Sequence, residues 1–206
     1  MKLVIFGATG KTGLEAVKQS LEKGHQVTAF VRDPTRMPVE HDGLTFVAGD
    51  IFDPESVAQT VQGQDAVICA LGSSELKKTT VRSEGTANII KAMKAHGVQR
   101  LLVVSAMGTG ESWNSLSAVN KFFYATLLKS SREDHEAQET AVKESDLDWT
   151  IIRPSGLTDE PRTGVYEVGE NILATTSKIA RADVADLILK ELEGNAFVRK
   201  AVTITN

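Results

Sequence analysis

Cysteine is all but missing from this chain. Cys69 is the single one among 206 residues, which excludes an internal disulfide framework and fits a reducing compartment. Basic tracts are missing as well. Twenty-three Lys and Arg stand against 27 Asp and Glu, a formal charge of −4, so there is no electrostatic footprint for nucleic acid and no cationic cluster to hold an acidic membrane. No stretch approaches the roughly 20 apolar residues that span a bilayer, and the apolar run at 3–6 is too short for the core of a secretory signal. The four histidines, His25, His41, His96 and His135, lie far apart, without the short pairings of metal motifs, so no metal is expected. No fixed-period repeat or low-complexity linker is present. These absences predict a soluble, cytoplasmic protein that acts on a small molecule, as a monomer or homodimer.

What remains is ordinary globular composition, 41% hydrophobic and 24% charged, which argues against disorder. A chain of this length buries roughly 70% of its unfolded surface and needs no staple; one domain over 1–206 is expected. Apolar runs at 3–6, 27–31, 44–48, 66–71, 101–104, 149–152 and 201–204 read as strands buried on both faces. Between them lie helical patterns: 12–23 with Leu14, Val17 and Leu21 in register, a helix opened by Asp53-Pro54-Glu55, one carrying Val81, Ile89 and Met93 up to Gly97, and 182–192. Strands alternating with helices predict βαβ units and a doubly wound parallel α/β sheet. The stretch 154–177 has glycines, polar residues and little periodicity, and is expected to form a substrate-side loop or cap.

The chemistry begins at the first turn. Gly7-Ala8-Thr9-Gly10-Lys11-Thr12-Gly13 lies between a buried strand and a helix, where glycines let a backbone approach a pyrophosphate at a helix N-terminus. Gly10-Lys11-Thr12 mimics the end of a triphosphate-binding loop, but that motif needs glycine at position 5, which is Ile5. A kinase or ATPase is thereby excluded. At the end of the second strand, Asp33 stands where an acid would hold the ribose 2′-hydroxyl of NAD. Arg32 and Arg36 flank it and would instead take the 2′-phosphate of NADP, by charge-assisted bidentate contacts. NADP(H) is the expected cofactor.

Further motifs follow in order: Gly49-Asp50, Gly63-Gln64-Asp65-Ala66-Val67, Leu71-Gly72, Ser83-Glu84-Gly85, Gly97-Val98, Ser105 and Arg153-Pro154. Together with the first turn they resemble the atypical short-chain dehydrogenase/reductase group with the NAD(P)-binding domain of NmrA-like proteins, and within it the small biliverdin-IXβ and flavin reductases. The similarity spans the chain and is strongest up to residue 106. It implies a Rossmann fold in which Gly7, Thr9, Gly10, Lys11, Thr12 and Gly13 line the pyrophosphate and Arg32 and Arg36 meet the 2′-phosphate. Asp50 and Ile51 would flank the adenine, Leu71 and Gly72 would pass beneath the cofactor, and Ser105, Pro154 and Ser155 would border the nicotinamide.

The departures define the chemistry. Ordinary short-chain dehydrogenases use Tyr-x-x-x-Lys to protonate an alkoxide, whereas Tyr124 is followed four residues later by Leu128. Alignment of the segment before Leu147 puts Ser131 and His135 where Tyr and Lys would fall, and Ser155 replaces a histidine carried by biliverdin reductase-like members. Ser105, Ser155 and His135 are the candidate catalytic residues. His135 lies in the run 131–136, which reads as a solvated charged helical face. Trp113, Phe122, Phe123 and Tyr124 could form an aromatic platform or pack a helix; Lys77 and Lys78 read as solvated, and Cys69 as an inert buried thiol. Three functions fit: an NADPH-dependent reductase of a planar acceptor such as flavin, a biliverdin-like tetrapyrrole or a quinone; a non-catalytic NADP(H)-sensing regulator; and a nucleotide-sugar epimerase, disfavoured because its base is absent.

Overall fold

The computed structural model describes the whole chain except residues 74–78, 116–128, 171 and 173–177. Lys77, Lys78, Phe122, Phe123, Tyr124 and Leu128 lie outside the described residues. Strands β1 (Lys2–Phe6), β2 (Gln26–Val31), β3 (Leu44–Ala48), β4 (Ala66–Cys69), β5 (Arg100–Val104), β6 (Asp148–Pro154) and β10 (Lys200–Thr205) run parallel in one sheet, ordered β3-β2-β1-β4-β5-β6-β10. Strand β8 (Glu167–Gly169) joins antiparallel beyond β10, while β7 (Gly156–Thr158) and β9 (Lys178–Ala180) form a separate parallel pair. The order reverses between β1 and β4. That reversal opens a crevice at their C-terminal ends, the place where such sheets hold ligands.

Five helices cover the sheet among the described residues: α1 (Lys11–Glu22), α2 (Pro54–Val61), α3 (Ser83–His96), α4 (Lys129–Lys143) and α5 (Arg181–Gly194). Alternation along the strands sorts the core into two layers. Leu3 and Ile5 of β1, Ile68 of β4 and Leu102 of β5 pack with Val17 of α1 and Val184 and Ile188 of α5. Val4, Phe6, Val67 and Leu101 face the other way, onto Val57 of α2, Ile89 and Met93 of α3 and Val142 of α4. A period of two in a continuously apolar strand is invisible in the sequence, because both faces are buried.

Local signals work as their chemistry requires. The Asp53 carboxylate accepts the Glu55 backbone N–H at 3.1 Å, with Pro54 at the first helical position, and Gly97 ends α3 in the left-handed conformation. The described part of the stretch 154–177 has more regular structure than its composition suggests. It holds the end of β6 and the strands β7 and β8, and three-residue strands are too short to display an alternation. Its 163–164 turn is tied down by Asp183 in the first turn of α5, whose carboxylate accepts both backbone N–H groups at 2.8 Å and the Thr163 hydroxyl at 2.9 Å.

Candidate cofactor and active site

The β1–α1 turn has no room for side chains at two of its glycines. A Cβ on Gly7, whose φ is +81°, would sit 2.3 Å from the Ala70 carbonyl oxygen, and one on Gly13 would sit 2.2 Å from the Gly7 carbonyl oxygen. These contacts press the turn against β4 and start α1 directly at the crevice. Gly10 is the N-cap and supplies no side-chain acceptor, and the first turn of α1 contains no acid. The helix therefore begins with unspent N–H donors at the positive end of its dipole, which is what a pyrophosphate needs. Lys11, at the mouth, forms an ion pair with Asp159, which also pairs with Arg181; the hydrogen bond from Lys11 is the main reason the Asp159 carboxyl is held below its usual range. Gly13→Ala is expected to cost about 1–3 kcal/mol through overpacking, and to weaken dinucleotide binding more than tenfold by displacing the turn. Thermal melts and a fluorescence titration check the two parts separately.

At the end of β2, Asp33 and the two arginines differ in what they touch. The Asp33 carboxylate accepts the Thr35 hydroxyl at 2.6 Å and the Thr35 N–H at 3.0 Å, capping the short turn Pro34–Arg36. Those bonds hold its carboxyl below the ordinary range. Arg32 and Arg36 are exposed, and neither guanidinium has an ion-pair or hydrogen-bond partner among the described residues. The acid is turned onto its own loop, and the two cations are exposed beside it.

Asp50 is exposed, with its carboxylate accepting the Phe52 N–H at 3.0 Å. Ile51 is buried, its carbonyl held by Asn88 at 2.9 Å. A Cβ on Gly85 would come within 2.6 Å of Ile51 and 2.8 Å of Leu71, so the absent side chain lets the end of β4 close on the loop after β3. Leu71 is half-buried and Gly72 exposed at the crevice. These residues fit a dinucleotide along the switch point.

The far end of the crevice is polar, with Ser105, His135, Glu139 and Arg153 buried. Ser105 follows β5, and its hydroxyl donates to Glu139 at 2.7 Å while standing 3.4 Å from His135 Nδ1. Glu139 is clasped by Arg153 of β6, through Nε at 2.9 Å and Nη2 at 2.5 Å, and both side chains are at most 3% exposed. Arg153 Nη2 also donates to Glu111 at 2.7 Å, and Lys143 joins the cluster 2.9 Å from Glu111 and 3.6 Å from Glu139. Hydrogen bonds from Arg153 and Lys143 hold the Glu111 carboxyl at about 2.

His135 is not on a solvated face. It is 8% exposed, and burial, reinforced by the Arg82 charge, pushes its pKa down to about 3. The charged run misleads because α4 turns polar side chains inward. Asp134 accepts the Ser83 hydroxyl at 2.6 Å and the Ser83 N–H at 3.0 Å, capping α3. Gln138 donates to Thr86 at 2.9 Å and lies 3.7 Å from the Cys69 sulfur. The Cys69 thiol is itself pushed up by burial. Ser131, one turn before His135, is half-buried. Pro154 ends β6, and Ser155 beyond it is buried with no hydrogen-bond partner for its hydroxyl among the described residues. Trp113 is occupied by the Arg132 guanidinium, 4.4 Å above its ring. Sequence reasoning missed Glu139, Arg153 and Glu111 as parts of this end. The signal available was helical spacing of polar residues, with His135, Gln138 and Glu139 on the same face as the apolar Val142.

A protein-family model described as NAD(P)H-binding matches residues 7–195. The chain is similar to the uncharacterized protein YwnB of Bacillus subtilis, 29% identical over 100% of this chain and 99% of that protein. Its fold is shared by a short-chain dehydrogenase/reductase of Veillonella parvula in complex with NADP, with a TM-score of 0.86 at 20% identity, covering 100% of this chain and 94% of that one. It is shared too by ChuY, an anaerobillin reductase of Escherichia coli O157:H7, with a TM-score of 0.84 at 23% identity, covering 100% and 97%.

Proposed function

We propose that this chain, which belongs to the NAD(P)H-binding family and has the fold of the atypical short-chain dehydrogenases, is an NADPH-dependent reductase of a planar, electron-poor ring: a flavin, a biliverdin-like tetrapyrrole or a quinone. One observation carries the reading. The described groups at the ends of β5 and β6 include no poised proton donor: the Ser105 proton is directed to Glu139, and His135 is neutral at working pH. Reduction of an isolated carbonyl needs an acid in the transition state. A conjugated ring spreads the incoming negative charge and can take its proton from solvent. Bound NADPH would supply the hydride. This chain's residues hold the dinucleotide at Gly7 to Gly13, present Arg32 and Arg36 to its 2′-phosphate, and border the reacting end with the buried Ser105, Pro154 and Ser155. The anaerobillin reductase among the structural relatives is consistent with a tetrapyrrole-sized acceptor.

Steady-state NADPH oxidation with FMN, FAD, biliverdin and quinones tests the proposal. Turnover is expected to lack a pH limb between 6 and 8; such a limb would restore a titrating acid and remove the basis of the reading. Tight NADPH binding without turnover of any acceptor would favour an NADP(H) sensor, which the same lack of a donor also fits. For the cofactor, Arg32→Ala is expected to weaken NADPH by tenfold or more while leaving NADH almost unchanged, the size of one charge-assisted contact. Equal wild-type affinities for the two cofactors would return the ribose to Asp33.

A further inference from the structure

The reductase reading leaves open which rings the site accepts, and the wiring of Ser105 narrows that choice. A serine hydroxyl has one proton and two acceptor lone pairs, whereas a carboxylate can only accept. Glu139 lies 2.7 Å from Ser105 Oγ and is held by Arg153 and Lys143 as an ion pair. His135 Nδ1 is farther, at 3.4 Å. The shorter, charge-assisted bond takes the proton. Ser105 then meets anything else only as an acceptor, and its bond with His135 requires the Nδ1–H tautomer. One lone pair is left for a ligand.

We propose that Ser105 is a hydrogen-bond acceptor toward the bound ligand, so that the site selects rings carrying an N–H, of the lactam or pyrrole type, over rings whose only polar edge is a carbonyl. Glu139 and Arg153 act as positioning residues that set this polarity. The inference rests on the reductase reading for the identity of the ring. The nicotinamide carboxamide is a second source of the same N–H chemistry, and the experiment separates the two.

Two ligand pairs are titrated calorimetrically against the whole protein: lumiflavin and its N3-methyl derivative in the presence of NADP+, and NADP+ and its 3-acetylpyridine analogue, which lacks the amide N–H. Wild type is expected to prefer lumiflavin by about tenfold, the value of one hydrogen bond to a buried partner. Ser105→Ala should erase that preference and Ser105→Thr should retain it. Glu139→Gln places an amide that can donate to Ser105, so the serine proton is released toward the ligand and relative affinity moves toward menadione, a quinone without N–H. A merely structural role would weaken both members of a pair equally. Equal wild-type affinity within both pairs, or a preference that survives Ser105→Ala, overturns the proposal. A preference confined to the cofactor pair overturns the assignment to the ring and with it the substrate selection. Because binding alone is read, absence of turnover would count against the reductase reading and leave the polarity of Ser105 standing.

Discussion

Glu139→Ala is expected to lower the unfolding free energy by about 3–5 kcal/mol, the range for removing one partner from a buried ion pair. The loss comes from what stays behind. Arg153 is 1% exposed, and without Glu139 its guanidinium keeps only Glu111, whose side chain is 70% exposed. The Ser105 hydroxyl loses its acceptor at the same time. Urea unfolding followed by tryptophan fluorescence measures the change. Replacing both partners, Glu139→Leu with Arg153→Met, should recover most of it, since the desolvation cost of both charges disappears with their attraction. A single-variant loss below 1 kcal/mol would mean that water reaches the pair.

Acid should unfold the protein earlier than its carboxylates alone would dictate. The folded-state pKa of His135, about 3, lies below the 6.5 of an unfolded histidine, so the unfolded chain binds the extra proton between those values. Stability is then complete above pH 6.5 and declines as pH falls toward 3, by about 5 kcal/mol at most over the whole window. Glu111 acts lower. Its carboxyl, held at about 2, contributes above pH 4.5 and loses that contribution as pH falls from there to 2, with a small effect because it is exposed. Urea midpoints from pH 4 to 8 should slope in wild type and flatten in His135→Gln. Glu111→Gln should lower the curve slightly and evenly above pH 4.5, the difference from wild type closing only as pH falls below it. Parallel curves for wild type and His135→Gln would show that water solvates the imidazole.

The cofactor half was legible because its constraints are local. Glycine at 7 and 13 reports a backbone approach and Asp53-Pro54-Glu55 a helix start; each meaning is carried within a few residues. The doubly wound parallel architecture followed from the alternation of strands and helices, whereas the order of the strands was read only from the structure. The reacting end was not legible in the same way. Residues 131–143 alternate charge and amide with few apolar side chains, a pattern that signals a solvated helix. Yet Asp134, His135, Gln138 and Glu139 face inward because their partners, Ser83, Ser105, Thr86 and Arg153, arrive from α3, the end of β5 and β6. Burial of a polar residue is decided by partners distant in sequence. Arg153 was visible in the Arg153-Pro154 motif, but its role depends on Glu139 and could not be read without it.

Strand β10 lies between β6 and β8, although both precede it in the chain. The ribosome therefore delivers β6, β8 and α5 before the strand that joins them. By the time β5 has emerged, β1 to β5 already contain every pairing they will make with one another and can condense as a unit. Strand β6 then docks on β5 with its other edge bare, and an unpaired seven-residue edge invites pairing with other nascent chains. Until Lys200–Thr205 has been made, that edge stays open, and truncations within those six residues should appear as aggregation during synthesis more than as lost affinity in the finished protein.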